Sequence, residues 1–203
     1  MELILLDSVG LEGGMEKDWR KRRYGHEYQE EHAGFAAGKA HWDWLSDVLY
    51  SEEQPVMRVV AAHRPVLSLV KRFRRQVEDE VADRLRFRLL QASRRSPVFF
   101  LSGHDHAMQH LKEIDRDLHY FGNGVGGMGR HYFAPRTARG RKHKTREDLA
   151  LSSARSCFRW GSAVTNGFSV HEVGPESLTT HFVDATTLRV LYSAKVSYDR
   201  RAL

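Results

Sequence analysis

The sequence predicts an α/β fold, and three observations predict it. Short apolar segments at residues 2–9, 56–62 and 98–102 each run into polar, glycine or histidine residues, the pattern of strands buried in a parallel sheet. Between the second and third, Leu69, Phe73, Val77, Val81, Leu85 and Leu89 recur every four positions with arginines and acids between them, which predicts an amphipathic helix over residues 69–91. The residues with chemistry cluster at the carboxyl ends of these strands, where open α/β sheets place their ligands.

Taken in order, the first strand closes on Asp7 and Ser8, and Gly10, Gly13 and Gly14 break it. Residues 17–38 carry charge and aromatics without a clean period and read as a surface loop with partial helix. Over residues 39–49 Trp42, Leu45 and Leu49 share one helical face, so a helix is expected there. Residues 52–55 form a turn, and the second strand runs into His63, Arg64 and Pro65. Ser96 and Pro97 stop the long helix, and the third strand runs directly into Gly103, His104, Asp105 and His106. Residues 120–129 are glycine-rich and read as a loop. Residues 130–146 carry seven lysines and arginines and no acid, and residues 130–157 as a whole read as an exposed insertion in a single domain. Three short strands are expected to close the chain at residues 168–173, 178–185 and 188–196, with turns at Gly174-Pro175 and Thr186-Thr187.

Composition narrows the chemistry. With 41% apolar and 29% charged residues in 203, the chain has the make-up of one soluble globular domain and not of a disordered or fibrous one. No apolar run reaches the length of a membrane span. Thirty-two basic against 26 acidic residues leave a formal charge of +6, a surface that attracts anions. The single cysteine, Cys157, excludes an internal disulfide framework and a cysteine-built zinc cage. Twelve histidines are the unusual feature, since imidazole is the common ligand of zinc, iron and copper.

The sharpest motif is Gly103-His104-Asp105-His106. Two imidazoles at i and i+2 after a strand can both turn inward, and the preceding glycine is expected to permit the turn that brings them there. Such a turn can offer imidazoles to two adjacent metal ions. His63, at the end of the strand expected beside it, is the candidate third imidazole, and Asp105 either orients an imidazole or sits in solvent. Residues 122–127 satisfy the GxGxxG spacing, but Gly129, Pro135 and Gly140 exclude the helix that a dinucleotide site requires, so a tight site-lining loop around Asn123 is expected. The basic stretch has neither an aromatic stacking platform nor a helix-turn-helix beside it, so nucleic acid is not the expected partner. No GxSxG elbow supports a serine hydrolase.

These segments together resemble the second half of the purple acid phosphatases, with the closest likeness to the tartrate-resistant type 5 enzymes of the calcineurin-like metallophosphoesterases. The residues that carry the likeness are the opening strand ELILLDSVGL, Val60 to His63 as VxxH, Gly103 to His106 as GHxH, the stretch YFGNGVGG, and the closing GFSVHEV and LTTHFVDATTLRVLYSAKV. The resemblance implies a four-layer αββα sandwich, two sheets between helices, of which the N-terminal half is missing here. It implies a dinuclear centre that hydrolyses phosphate monoesters of small molecules or phosphoproteins. His63 and His104 would hold a divalent zinc, iron or manganese ion and His106 a ferric ion, with Gly103, Arg64, Asp105 and Asn123 lining the site. A metal-bound hydroxide would attack phosphorus while the metals neutralise the developing charge.

The family's first three motifs, GDxG, GDxxY and GNH with a following acid, do not occur in these residues. The catalytic histidine of the third is therefore unassigned, and three imidazoles remain for two metals. Ala62 stands where the type 5 enzymes usually have glycine, and Arg64 where an aromatic residue or histidine is common. Two functions follow: a metal-dependent phosphoesterase of which this chain carries the second half of the site and is by itself inactive, or a non-catalytic phosphoesterase-like remnant that binds a partner or nucleic acid. Relatives of this kind are often secreted or lysosomal, and the chain itself shows no signal peptide. A half-domain is also expected to expose an apolar edge and to be poorly soluble.

Overall fold

The computed structural model describes residues 1–8, 10–13, 33–70, 76–126, 133, 154 and 156–198. The basic stretch at residues 130–146 lies outside the described residues apart from Phe133. A six-stranded sheet is built from β1 (Glu2–Leu6), β2 (Arg58–Ala62), β3 (Val98–Ser102), β4 (Met108–Lys112), β5 (Leu118–Asn123) and β6 (Phe158–Ser162), in the order β1-β2-β3-β5-β4-β6. β1, β2, β3 and β5 run parallel, while β4 is antiparallel to β5 and β6. A second sheet is the antiparallel meander of β7 (Gly167–Val173), β8 (Ser177–Asp184) and β9 (Val190–Ser197). The helices are α1 (Gly10–Gly13), α2 (Ala33–Tyr50) and α3 (Gln76–Ala92). Among the described residues no helix is long and apolar enough to cross a membrane.

Two cores divide the molecule into layers. On one face of the large sheet Ile4, Val60, Phe100 and Tyr120 pack with Trp42, Leu45 and Leu49 of α2 and Val81, Leu85 and Leu89 of α3. The other face sends Val59, Phe99, Met108 and Phe121 against Leu178 and Phe182 of β8 and Ala194 and Val196 of β9. Three layers of the expected four are present among the described residues: helices, large sheet, small sheet. The outer face of the small sheet leaves Phe168, Val170 and Leu191 exposed.

Local chemistry explains the joints. The Asp7 side chain accepts the Gly10 N–H at 2.9 Å and its carbonyl accepts the Leu11 N–H at 3.0 Å, so the first strand turns straight into α1. Trp42 donates its indole N–H to the Leu11 carbonyl, and Arg84 and Arg88 lie over its ring at 4.7 and 4.8 Å. Fully buried Arg58 reaches Glu2 Oε2 at 2.7 Å, Gln54 Oε1 at 3.0 Å and Ser96 Oγ at 3.2 Å, which ties β1 to β2. Buried Glu113 receives Arg86 of α3 through two bonds of 2.7 and 2.9 Å, the Tyr120 hydroxyl at 2.9 Å and the Cys157 thiol at 3.4 Å. Burial pushes the Glu113 carboxyl up, but the Arg86 bonds and charge, with help from Tyr120 and Cys157, outweigh it and hold the group below the usual carboxylate range. Burial and the Glu113 charge push the Cys157 thiol up, so it serves packing and not nucleophilic chemistry.

Several sequence expectations need correction. The long helix does not reach back to Leu69. The Leu69 N–H donates to Gln109 Oε1 at 3.1 Å, Val70 bridges to Phe133, and the described helix begins at Gln76. Leu69 and Val70 continue the apolar pattern of the helix but lie outside it, Leu69 being held by the buried Gln109 amide. The glycine-rich loop expected from Tyr120 is in its first four residues the end of strand β5, where Gly122 is required because a Cβ would stand 2.9 Å from Gln109 Cγ. Strands β4 and β6 were not expected at all. Ala154 and Cys157, at the end of the expected insertion, and Phe133 within it pack into or against the helix-side core.

Candidate metal-binding site at the strand ends

The site lies where the parallel strands end. β2 and β3 are hydrogen-bonded neighbours with Ala62 opposite Ser102, so the residues that follow them, His63 and Gly103, leave the sheet side by side. The Gly103 N–H donates to the His63 carbonyl at 3.1 Å, extending the pairing by one step before the turn. The turn itself is made by His104, which has φ of 60° in the left-handed region. Gly103 was expected to supply that freedom; the strained conformation falls instead on the histidine, a placement common at functional sites.

As a result His104 Nδ1 and His63 Nε2 stand 3.0 Å apart, with ring centroids 4.8 Å apart and planes at 74°. His106 follows in the same turn, half-buried, and Asp105 between them is fully buried. Gly124 holds the other wall: a Cβ there would lie 2.2 Å from the Asp105 carbonyl, so only glycine lets the β5 end close on the turn. Asn123 donates Nδ2 to Ser169 Oγ of β7 at 3.4 Å, while its Oδ1 is buried without a hydrogen-bond partner. Arg64 is held through its N–H to the buried Ser8 Oγ at 3.2 Å, which brings the end of β1 into the same edge. Every residue expected in the site is therefore at one end of the sheet, and His63 and His104 are in direct contact.

The pair stands at hydrogen-bonding distance, and that spacing is also near the one a shared metal would impose. Two imidazole nitrogens bound to one tetrahedral zinc at about 2.0–2.1 Å lie roughly 3.3 Å from each other, close to the 3.0 Å seen between His63 and His104. Two donors do not make a closed site. Among the described residues no group of three or more His, Cys, Asp or Glu side chains converges on a point where a metal ion could sit. The residues present thus fit part of a metal site, and a dinuclear centre would need further ligands from elsewhere.

Two buried histidines escaped the sequence reading. His110 on β4 and His119 on β5 lie between the two sheets, with His110 Nε2 and His119 Nδ1 also 3.0 Å apart. The signal available was their position inside short stretches rich in apolar and aromatic residues, MQHLK and LHYFGN.

No family model matches the sequence, and no curated protein does so. Solved structures do. GAP50, described as the anchor in the inner membrane complex of Plasmodium, aligns with a TM-score of 0.64 at 20% identity over 98% of this chain and 49% of its own. Purple acid phosphatase PPD1 from yellow lupin (Lupinus luteus) seeds aligns with a TM-score of 0.57 at 13% identity over 87% of this chain and 30% of its own. The chain spans about half the length of the first and under a third of the second. At these identities the likeness is one of fold alone: a mixed α/β arrangement shared with these two structures.

Proposed function

We propose that this chain is the carboxyl-terminal part of a metal-dependent phosphoesterase and supplies His63, His104 and His106 to a centre that other residues complete. The observation that carries the reading is the meeting of His63 Nε2 and His104 Nδ1 at 3.0 Å on neighbouring parallel strands, held there by a left-handed His104. A bound zinc, iron or manganese ion would supply a hydroxide for in-line attack on a phosphate monoester and would neutralise charge in the transition state. Arg64 and Asn123 would line the site, and the net charge of +6 suits an anionic substrate.

The completing segment has a surface on which to dock. Among the described residues β1 is a parallel edge strand, and Leu3 and Leu5 on its non-helical face are 58% and 69% exposed. An apolar cleft of about 120 Å³ runs between Leu3, Val59 and Leu101 of the large sheet and Val173 and Leu178 of the small one. A segment that adds strands to both sheets would cover these groups.

The likeness to GAP50 favours a second reading, in which the same fold is a scaffold for a partner and performs no turnover. Metal content and p-nitrophenyl phosphate hydrolysis separate the two, measured on the longest natural polypeptide that contains these residues. The enzyme reading expects bound metal and hydrolysis to fall together in His63→Ala and His104→Ala, by more than the roughly 10–100-fold that loss of an outer-shell partner costs. A folded protein with neither metal nor hydrolysis overturns it and leaves the scaffold.

A further inference from the structure

The second histidine pair carries an inference that is independent of the phosphoesterase reading, because it lies between the sheets and uses none of the residues of the strand-end site. His110 and His119 are each 4% exposed. His110 Nε2 meets His119 Nδ1 at 3.0 Å, and His110 Nδ1 meets the Tyr192 hydroxyl of β9 at 2.9 Å. One polar row therefore crosses from the large sheet to the small one inside an apolar layer. His110 stacks on Phe121 at 4.5 Å, His119 on Phe99 at 5.6 Å, and Tyr192 on Trp160 at 4.9 Å.

We propose that His110, His119 and Tyr192 form an acid-sensitive latch that holds the β7–β9 sheet on the large sheet at neutral pH and releases it on acidification.

Proton counting shows why. In the neutral pair one imidazole N–H is donated to the lone pair of the other. Two protonated rings would set N–H against N–H across that 3.0 Å contact, and the bond is lost. A single proton on His110 preserves the contacts but leaves an imidazolium among Phe99, Phe121 and Phe182. A proton on His119 Nε2, a buried atom without a hydrogen-bond partner, gains no acceptor. The groups that bear on the pair do not offset the charge. β4 offers Lys112, itself bridged to Asp117 at 3.1 Å; β6 offers Arg159; β9 offers Tyr192. β3 and β8 present Phe99 and Phe182, and His171 of β7 stands across Phe121 at 6.0 Å. The small sheet can part as a unit, because its strand pairs are all within itself.

Burial, then the charges of His119, Arg159 and Lys112, hold the His110 imidazolium down to about 3. Burial, then Lys112 and Arg159, do the same for His119, also to about 3. A solvated histidine titrates near 6.5, so between pH 6.5 and 3 the released state binds more protons than the closed one. Release then becomes easier by about tenfold per pH unit for each histidine, and above pH 6.5 the effect vanishes.

Hydrogen exchange tests this, corrected for the intrinsic pH dependence of exchange, on the folded protein from pH 7.5 to 4. Amides of β8 should lose protection below pH 6.5 while those of β2 and β3 keep theirs. The double substitution His110→Phe and His119→Phe keeps the stacked rings and removes both titrating groups; it should move the loss at least about one pH unit lower. Loss of protection in both sheets together, or an unchanged midpoint in the double variant, overturns the latch. Should that variant fail to fold, the histidine ring resonances of the wild-type protein decide: protonation of His110 or His119 near pH 6.5 while β8 stays protected is equally fatal, whereas protonation that coincides with the loss supports release.

Discussion

The molecule contains two histidine pairs with the same 3.0 Å contact, and their surroundings give them opposite chemistry. His63 and His104 meet edge to face at the exposed ends of β2 and β3, where water and ligands reach them. His110 and His119 lie nearly parallel at 15° between two sheets, stacked among phenylalanines. Solvent can screen charge placed beside the first pair. Protein replaces that solvent around the second, and only the neutral form is tolerated. Distance alone therefore does not define a metal site; access and charge tolerance do.

A fixed charge breaks the comparison most strongly. His119→Lys places an ammonium among Phe99 and Phe121 beside His110, with Lys112 already bearing on the pair. An uncompensated buried charge costs about 3–5 kcal/mol, so urea unfolding at pH 7.5 should show most of the stability of a small domain gone. His63→Lys makes the same chemical change at the exposed end and should stay within about 0.5 kcal/mol of the parent. Similar losses in the two variants would mean that the environments are not as different as the packing indicates.

Tyr192→Phe sharpens the contrast at smaller amplitude. The ring still stacks on Trp160, but His110 Nδ1 loses its 2.9 Å partner inside the molecule. A loss of about 1 kcal/mol is expected at neutral pH, read as a lower urea midpoint with an unchanged slope. An unaffected midpoint would show that water takes over the hydroxyl's role, and the row would then not be sealed.

What the sequence disclosed follows the same division. β3 was readable to the residue because VFFLS is wholly apolar up to its last position, and Trp42, Leu45 and Leu49 marked one face of α2. The strand-end histidines were readable because glycine and polar residues follow apolar runs there. β4 and β5 were not, and His110, Gln109 and His119 are the reason: buried polar side chains interrupt the apolar pattern, and their partners come from strands distant in sequence. A hydrogen bond across 82 positions, such as His110 to Tyr192, leaves no local trace. Leu69 falls outside α3 for the same reason, since Gln109 captures its N–H from a strand distant in sequence.

The smallest effect expected is also the one that bears on why the exposed pair exists. His104 occupies φ of 60°, a conformation that costs an L-residue with a Cβ about 1 kcal/mol or more. His104→Gly removes that strain and an exposed contact worth little, while the extra freedom of glycine in the unfolded chain takes back about half the gain. A net rise of roughly 0.5 kcal/mol is expected. His104→Val, β-branched at positive φ, should move the midpoint the other way by about 1 kcal/mol or more. Opposite signs in the two melts would establish that the fold carries strain at this position in exchange for an imidazole beside His63. Equal losses in both would mean that the His63–His104 contact itself stabilises the turn, and the exposed pair would then be structural, as the buried one is.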